Sequence, residues 1–310
     1  MKRLLSPLLI ASSLLVQTGA RAATLNPAQI PSEARWVAHL DVDALRTTAM
    51  GKLLMDQLNQ GTPGNQLNAV KAMFGFDPRT DLRGITACGK SEDPRQAALI
   101  AHGTIDAERL VTLLKANGSY QSQELAPGQV MHSWVDDKKP GQARQYAAFA
   151  ADRVVISQGP EVIRRVLAQW NGQGAGLVEG AVQLGGFEGA VFAASANLQG
   201  LAERDAKAAM LKKAVSAMVS LGEANGNLVG ALQVVTEDEA TAAQLNAMAS
   251  GMLAFALLNQ DADPNLKKLV QGLSATQDGR SVRMQLKLPV GELLEKLEQE
   301  IKKQAARTNA

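Results

Sequence analysis

A short segment that alternates in polarity, and returns in altered form in the second half of the chain, most limits what this sequence can fold into. In Arg35 to Val42 the side chains of Trp36, Ala38, Leu40 and Val42 fall on one side, and those of Val37, His39 and Asp41 on the other. A period of two is the signature of a β-strand with one buried face. Trp36 to Leu45 can be laid over Phe192 to Leu201 with the same pattern of sizes, placing Asp41 on Asn197 and His39 on Ser195. A second correspondence closes each half. Val154 to Pro160 and the helix after it lie over Val282 to Pro289 and the helix after that, each strand following a turn at Ala151 to Arg153 or Asp278 to Arg280. Two tandem related halves follow as an expectation. Each would be an antiparallel sheet covered by helices on one face, an α+β fold.

The remaining segments fill in this order. Asp43 is expected to cap a helix running to Leu58, ended by the stretch Gly61 to Gly64, with a short helix from Asn65 to Phe74. Leu82 to Gly89 and Ala97 to Gly103 read as paired strands, and Asp106 caps a helix with Leu110, Leu113 and Leu114 on one side. Strands are expected at Val130 to Val135, Gln145 to Ala150 and Arg153 to Ser157, with Pro160 opening a helix that reaches Trp170. The second half predicts strands at Val191 to Leu198, Leu228 to Val235, Leu273 to Thr276 and Arg280 to Leu288. Its helices are expected at Arg204 to Leu221, Asp238 to Leu258 and Val290 to Lys303. The domain limits are 1–22 for a leader, 23–178 and 179–303 for the two halves, and 304–310 for a frayed tail.

The leader has its own chemistry. Lys2 and Arg3 give a positive start, Leu4 to Val16 an apolar run of 13 residues, and Ala20 to Ala22 a small-x-small end. That is the pattern of a secretory signal peptide cleaved after Ala22, and the run is well short of the ~20 residues that span a bilayer. Loss of Lys2, Arg3 and Arg21 takes the net charge from +2 to −1, which gives no footing for a nucleic-acid partner. The single cysteine, Cys88, can form no intrachain disulfide. No segment after the leader reads as a membrane span, the best being Gly251 to Leu258, too short to cross. The expected location is the periplasm or the outside of the cell, and the expected partner an unknown protein or envelope ligand.

Chemical motifs are sparse. His39, His102 and His132 are the only histidines, and all fall on strands of the first half. His39 shares a side with Asp41, and His132 with Trp134 and Asp136. Imidazoles converging on one sheet face would bind zinc or act as a base, so His39, Asp41, His102 and His132 are the candidate catalytic or metal-binding residues. Their spacing matches no local metal motif, and neither a G-x-S-x-G elbow nor an S-x-x-K pair occurs. Cys88 reads as a small buried hydrophobe. Gly172, Gly174 and Gly176 follow a helix rather than a strand, so they read as a linker and not as a phosphate cradle. No cofactor is implied. The Met- and Ala-rich stretches 206–219 and 240–257 read as core helices, or else as the walls of a greasy groove.

The run from Pro31 to Leu54, the stretch His132 to Pro140 and the stretch Arg153 to Leu167 together resemble a group of uncharacterised exported proteins of Planctomycetes and Verrucomicrobia type. The resemblance covers residues 31–170 and implies export and fold without an activity, cofactor or catalytic residue. Three functions stand open. The chain is expected to be a non-enzymatic binding or structural module of the cell envelope. The alternatives are a hydrolase or metal protein using the strand histidines, and a carrier of lipid or another hydrophobic ligand.

Overall fold

The computed structural model describes residues 25–135, 143–175, 182, 190–199, 212–258 and 264–308. The leader and the stretch 136–142 lie outside them. The elements in chain order begin with β1 (Trp36–Asp41), α1 (Val42–Thr47), α2 (Ala49–Leu58), α3 (Gly61–Phe74), β2 (Leu82–Gly89), β3 (Ala97–Gly103) and α4 (Ala107–Lys115). They continue through β4 (Gln121–Ala126), β5 (Gln129–Trp134), β6 (Gln145–Ala150), β7 (Arg153–Ser157), α5 (Pro160–Trp170), β8 (Phe192–Asn197), β9 (Ala214–Ala224) and β10 (Asn227–Thr236). The last are α6 (Glu239–Leu258), α7 (Pro264–Gln271), β11 (Leu273–Asp278), β12 (Ser281–Pro289) and α8 (Val290–Thr308).

The fold is α+β, and among the described residues the strands form one continuous antiparallel sheet of 12 strands instead of two separate sheets. The order is β11-β12-β10-β9-β8-β1-β2-β3-β7-β6-β5-β4. β1 and β8 meet at the middle, with Ala38 opposite Ala194. Outward from that pair, one side runs β1-β2-β3-β7-β6 and the other β8-β9-β10-β12-β11.

Several local expectations change. Asp41, not Asp43, caps α1, its Oδ1 accepting from the Ala44 N–H at 2.8 Å. Asp43 sits in the first turn and pairs with Arg46 at 2.8 Å. The helix expected to run to Leu58 breaks at Thr48, which is extended (φ −75°, ψ 158°) and caps α2 through its hydroxyl. The stretch Gly61 to Gly64 starts α3 rather than ending its predecessor; Pro63 tolerates a first turn, where its missing N–H has no acceptor to lose. Residues 304–308 continue α8, so that part of the expected tail is helical.

The largest correction is in the second half. Of the helix expected over Arg204 to Leu221, residues 204–211 lie outside the described set, and the described part is a strand, Ala214–Ala224. β9 joins β10 through Asn225 (φ 51°) and Gly226 (φ 72°), the left-handed pair that a tight hairpin turn demands. An apolar run rich in Ala and Met does not distinguish helix from strand by period, but the Asn-Gly pair does.

Residues opposite each other across a ladder share a face, so the pairing fixes which side each residue occupies. Ile100 pairs with Thr86 and with Val155, and His39 with Thr86. Ile163 and Val166 of α5 close over this face, and Val37, Cys88, Ile100, Val155, Ile163 and Val166 are at most 1% exposed. Burying each such aliphatic side chain contributes about 1.5–3 kcal/mol. Leu232 pairs with Val219, Val219 with Ala194, and Ala194 with Ala38, the neighbour of Val37. Leu232 therefore lies on the opposite face, and that is the face on which α6 packs against β10, β11 and β12. α5 and α6 thus cover opposite faces of the one sheet.

The halves are also tied through helix ends. Glu223 of β9 accepts from the Ala49 and Met50 N–H groups at 2.9 and 2.8 Å, placing a carboxylate on the positive end of α2. Ile163→Ala should lower the unfolding free energy in urea by about 2–5 kcal/mol. Glu223→Gln should cost about 1 kcal/mol in the same measurement.

Candidate functional site

The histidines are positioned by strand parity and ladder order. His39 of β1 is 5% exposed, with Nδ1 2.9 Å from the Thr86 hydroxyl of β2. His102 of β3 pairs with Gly84, which pairs on its other side with Asp41. His39, Asp41 and His102 therefore share the α5-covered face. Asp41 is 4% exposed, and one of its carboxylate oxygens is committed to the start of α1.

His132 belongs elsewhere. It pairs with Ala147, Ala147 with Ile156, Ile156 with Leu99, and Leu99 with Ala87, which faces Ala38. It therefore lies on the other face, with β6 and β7 between its strand and that of His102. There its Nδ1 is 2.8 Å from the Tyr120 hydroxyl, and its ring meets Phe149 edge-on at 5.4 Å. The three imidazoles do not converge. Among the described residues no group of three His, Cys, Asp or Glu side chains is placed to hold a metal ion.

The surroundings of His102 and His132 favour neutral rings. Burial, then the Arg153 guanidinium and His39, push the His102 imidazole down to about 4. Burial and the Lys115 ammonium lower that of His132. Burial pushes the Cys88 thiol up to about 12, so it carries no thiolate near neutrality and behaves as the small hydrophobe its strand position suggests.

The cavity is elsewhere, and composition rather than motif produces it. α6 carries no charged side chain from Ala240 to Leu258, and its apolar residues are spread around the helix rather than gathered on one side. The sheet beneath supplies Leu232 and Val234 from β10, paired with Met284 and Val282 of β12. From α6, Leu245, Ala249, Leu253 and Ala256 face this floor, at the three- and four-residue spacing of one helix face. Met248 and Met252, 43% and 66% exposed, complete the wall and mark the mouth. The result is a cleft of about 420 Å³ lined by ten residues, all apolar. The cavity expected between two helices, over 206–219 and 240–257, and the sheet is lined instead by one helix and the sheet, because Ala214–Ala224 is a strand.

α6 corrects one more expectation. At 20 residues it is long and apolar enough to cross a membrane by length and composition. Reading the span as Gly251 to Leu258 left out the uncharged first half of the helix. Here it lies along the sheet, yet Phe255 and Leu258 are 74% and 78% exposed.

No family model matches the chain, and no curated protein matches it. Among solved structures it is similar to TP0453, a Treponema protein. Crystal form IV aligns with a TM-score of 0.47 at 7% identity, over 86% of this chain and 94% of that one. Crystal form III gives 0.45 at 8% over the same shares, and crystal form I gives 0.44 at 8%, over 85% and 92%.

The low pKa of His102 has a defined consequence. Between about 4 and 6.5 the unfolded chain binds a proton that the folded chain does not. His102 therefore costs no stability above 6.5, costs progressively more as the pH falls toward 4, and no more below that. Urea titrations across this range should show that slope, and His102→Gln should flatten it. An NMR titration of the imidazole should find its midpoint near 4.

Proposed function

We propose that the chain is exported, loses residues 1–22, and serves in the periplasm or outside the cell as a non-enzymatic binding protein for an apolar ligand. The observation that carries the reading is the cleft under α6, whose ten lining residues present no polar side chain. Ligand pockets of about 300–1,000 Å³ with mostly apolar walls are the usual form of a small-molecule site. Methionines at the mouth suit it, because unbranched thioether side chains re-pack around different shapes. Export is supported by the charged start, apolar run and small-x-small end of the leader.

The scaffold is read as two halves related by duplication. The support is the order outward from the centre: β1-β2-β3-β7-β6 on one side and β8-β9-β10-β12-β11 on the other. In both, a closing strand leads through a proline into a helix, at Pro160 and at Pro289. The apolar cleft belongs to the second half alone.

The test is native mass spectrometry of protein purified from the periplasm of a host expressing the whole chain. It should find a mature N-terminus at Ala23 and a bound apolar molecule. Ala256→Trp fills the cleft and should abolish the adduct while leaving the far-ultraviolet circular dichroism unchanged. Displacement of a fluorescent fatty-acyl probe by straight-chain ligands should tighten about fourfold for each added methylene until the cleft is full, the equivalent of ~0.8 kcal/mol per group. Equal affinity in the wild type and Ala256→Trp would remove the cleft as the site.

A further inference from the structure

The face of the sheet on which α6 lies is built the wrong way round for contact with water. Leu99, Ala87, Ala38, Ala194, Val219 and Leu232 form one register row across β3, β2, β1, β8, β9 and β10. The next row, from Ala101 to Leu221, is apolar at every position as well. Polar side chains of the same strands point the other way, where His39, Thr86 and Ser195 are at most 5% exposed. An antiparallel sheet with one wet face carries its polar residues on that face. Here Leu99, Val219, Leu221 and Leu232 are 43%, 38%, 41% and 40% exposed while the polar residues are covered. α6 packs on β10, β11 and β12, and the apolar floor beside it, over β3, β2, β1, β8 and β9, stays open at Leu99, Val219 and Leu221. α6 has the complementary oddity. Phe255 and Leu258, away from the cleft, are 74% and 78% exposed, and a side chain added at Gly251 would meet only open space.

We infer that this face is the interface of a twofold dimer, in which α6 of each copy lies on the open floor of the other. A twofold axis between two facing sheets, parallel to their strands, carries the covered side of one copy over the open side of its partner. The two α6 helices then fill the layer between the sheets side by side, each with one sheet beneath it and one above. A helix so placed has no wet side, which accounts for the absence of charge from Ala240 to Leu258. Ala38, Ala87 and Ala194 across the middle of the floor leave room for it. The floor measures about 24 Å by 13 Å, at roughly 4.8 Å per strand and 3.3 Å per residue. The outer side of α6 adds about 30 Å by 10 Å, from the rise and diameter of a helix. Two copies together bury on the order of 1,200 Å², the size of a stable interface and more than most packing contacts reach. A flat bilayer matches less well. Resting on Phe255 and Leu258, it would stand off the floor by about the 10 Å diameter of the helix and leave Leu99 and Val219 wet. Helices that lie on membranes carry Lys or Arg on a polar face, and α6 has neither residue.

Sedimentation equilibrium of the purified protein at micromolar concentration should give twice the chain mass, and the thermal midpoint should rise with concentration. Gly251→Arg adds a charge where a single copy offers only open space, and it removes a glycine from a helix, so each copy should fold at least as well. Val219→Lys places a charge on the floor at a site already 38% exposed. Each variant should weaken dimerisation about a hundredfold or more, because the contact would bury an unpaired charge. Each should also keep the far-ultraviolet circular dichroism and lose the concentration dependence of the midpoint. A wild type that stays monomeric at its highest soluble concentration overturns the proposal, and one that floats with phosphatidylcholine vesicles instead gives the face to lipid. A dimer that persists in either variant uses another surface, such as the edge strand β4, and overturns it as well.

Discussion

The antiparallel pairing of β1 with β8 is the contact on which the remaining architecture hangs. Five residue pairs, from Trp36 opposite Ala196 to Leu40 opposite Phe192, fuse what would otherwise be two smaller sheets into one. Backbone bonds extend the seam at both ends, Asn197 N–H to the Arg35 carbonyl at 2.7 Å and Asp41 N–H to the Val191 carbonyl at 2.8 Å. An open strand edge is an aggregation hazard, and this junction removes two of them at the centre of the molecule. The small pair Ala38 and Ala194 at its midpoint leaves little side-chain bulk on the face shared with α6. The seam also sets the register that carries parity from one half into the other.

Because parity is carried across, the exchange of helix cover between faces has a direct consequence. α5 covers the face of Val37, Ile100 and Val155, with β-branched side chains against an amphipathic helix that keeps its arginines outside. On the opposite face Val219, Leu221 and Leu232 remain about 40% exposed beside α6. A helix that must lie on such a surface while its own outer side stays open gains less from burial than α5 does. The gap that remains beneath it is where a ligand can supply the missing contacts. Filling about 420 Å³ of apolar space with dispersion contacts rewards a bound chain more than an empty cleft rewards the fold.

Much of this was legible in the residues, and the failures have physical causes. The alternation of Trp36 to Val42, the pairing of Leu82 to Gly89 with Ala97 to Gly103, and the Pro160 and Pro289 junctions follow from period, turn chemistry and proline geometry. β9 does not declare itself locally, because Ala214 to Ala224 has no decisive period, although Asn225-Gly226 marks a hairpin without reference to period. The histidines were correctly assigned to strands, but their faces depend on the ladder order β3-β7-β6-β5, which no local pattern encodes. The Met- and Ala-rich stretch 240–257 reads first as a core helix and second as a groove wall, and the cleft follows the second of these. One of its walls was assigned to the wrong element, for the same reason that β9 was misread.

α6 is the element where local and global demands diverge most. Uncharged from Ala240 to Leu258 and with apolar residues spread around it, it has the composition of a helix buried in a core or a membrane, yet Ala242 is the one residue of the helix that the fold buries. A helix selected for the stability of this domain alone would carry charges on the side now occupied by Phe255 and Leu258. Such helices normally keep a polar face toward water, as α4 and α5 do with Arg109, Arg164 and Arg165. Its apolar circumference therefore belongs to what it meets rather than to what it supports. On the inner side that is the apolar cleft over Leu232 and Met284. Stability forgone on one helix is the usual mark of a surface kept for binding.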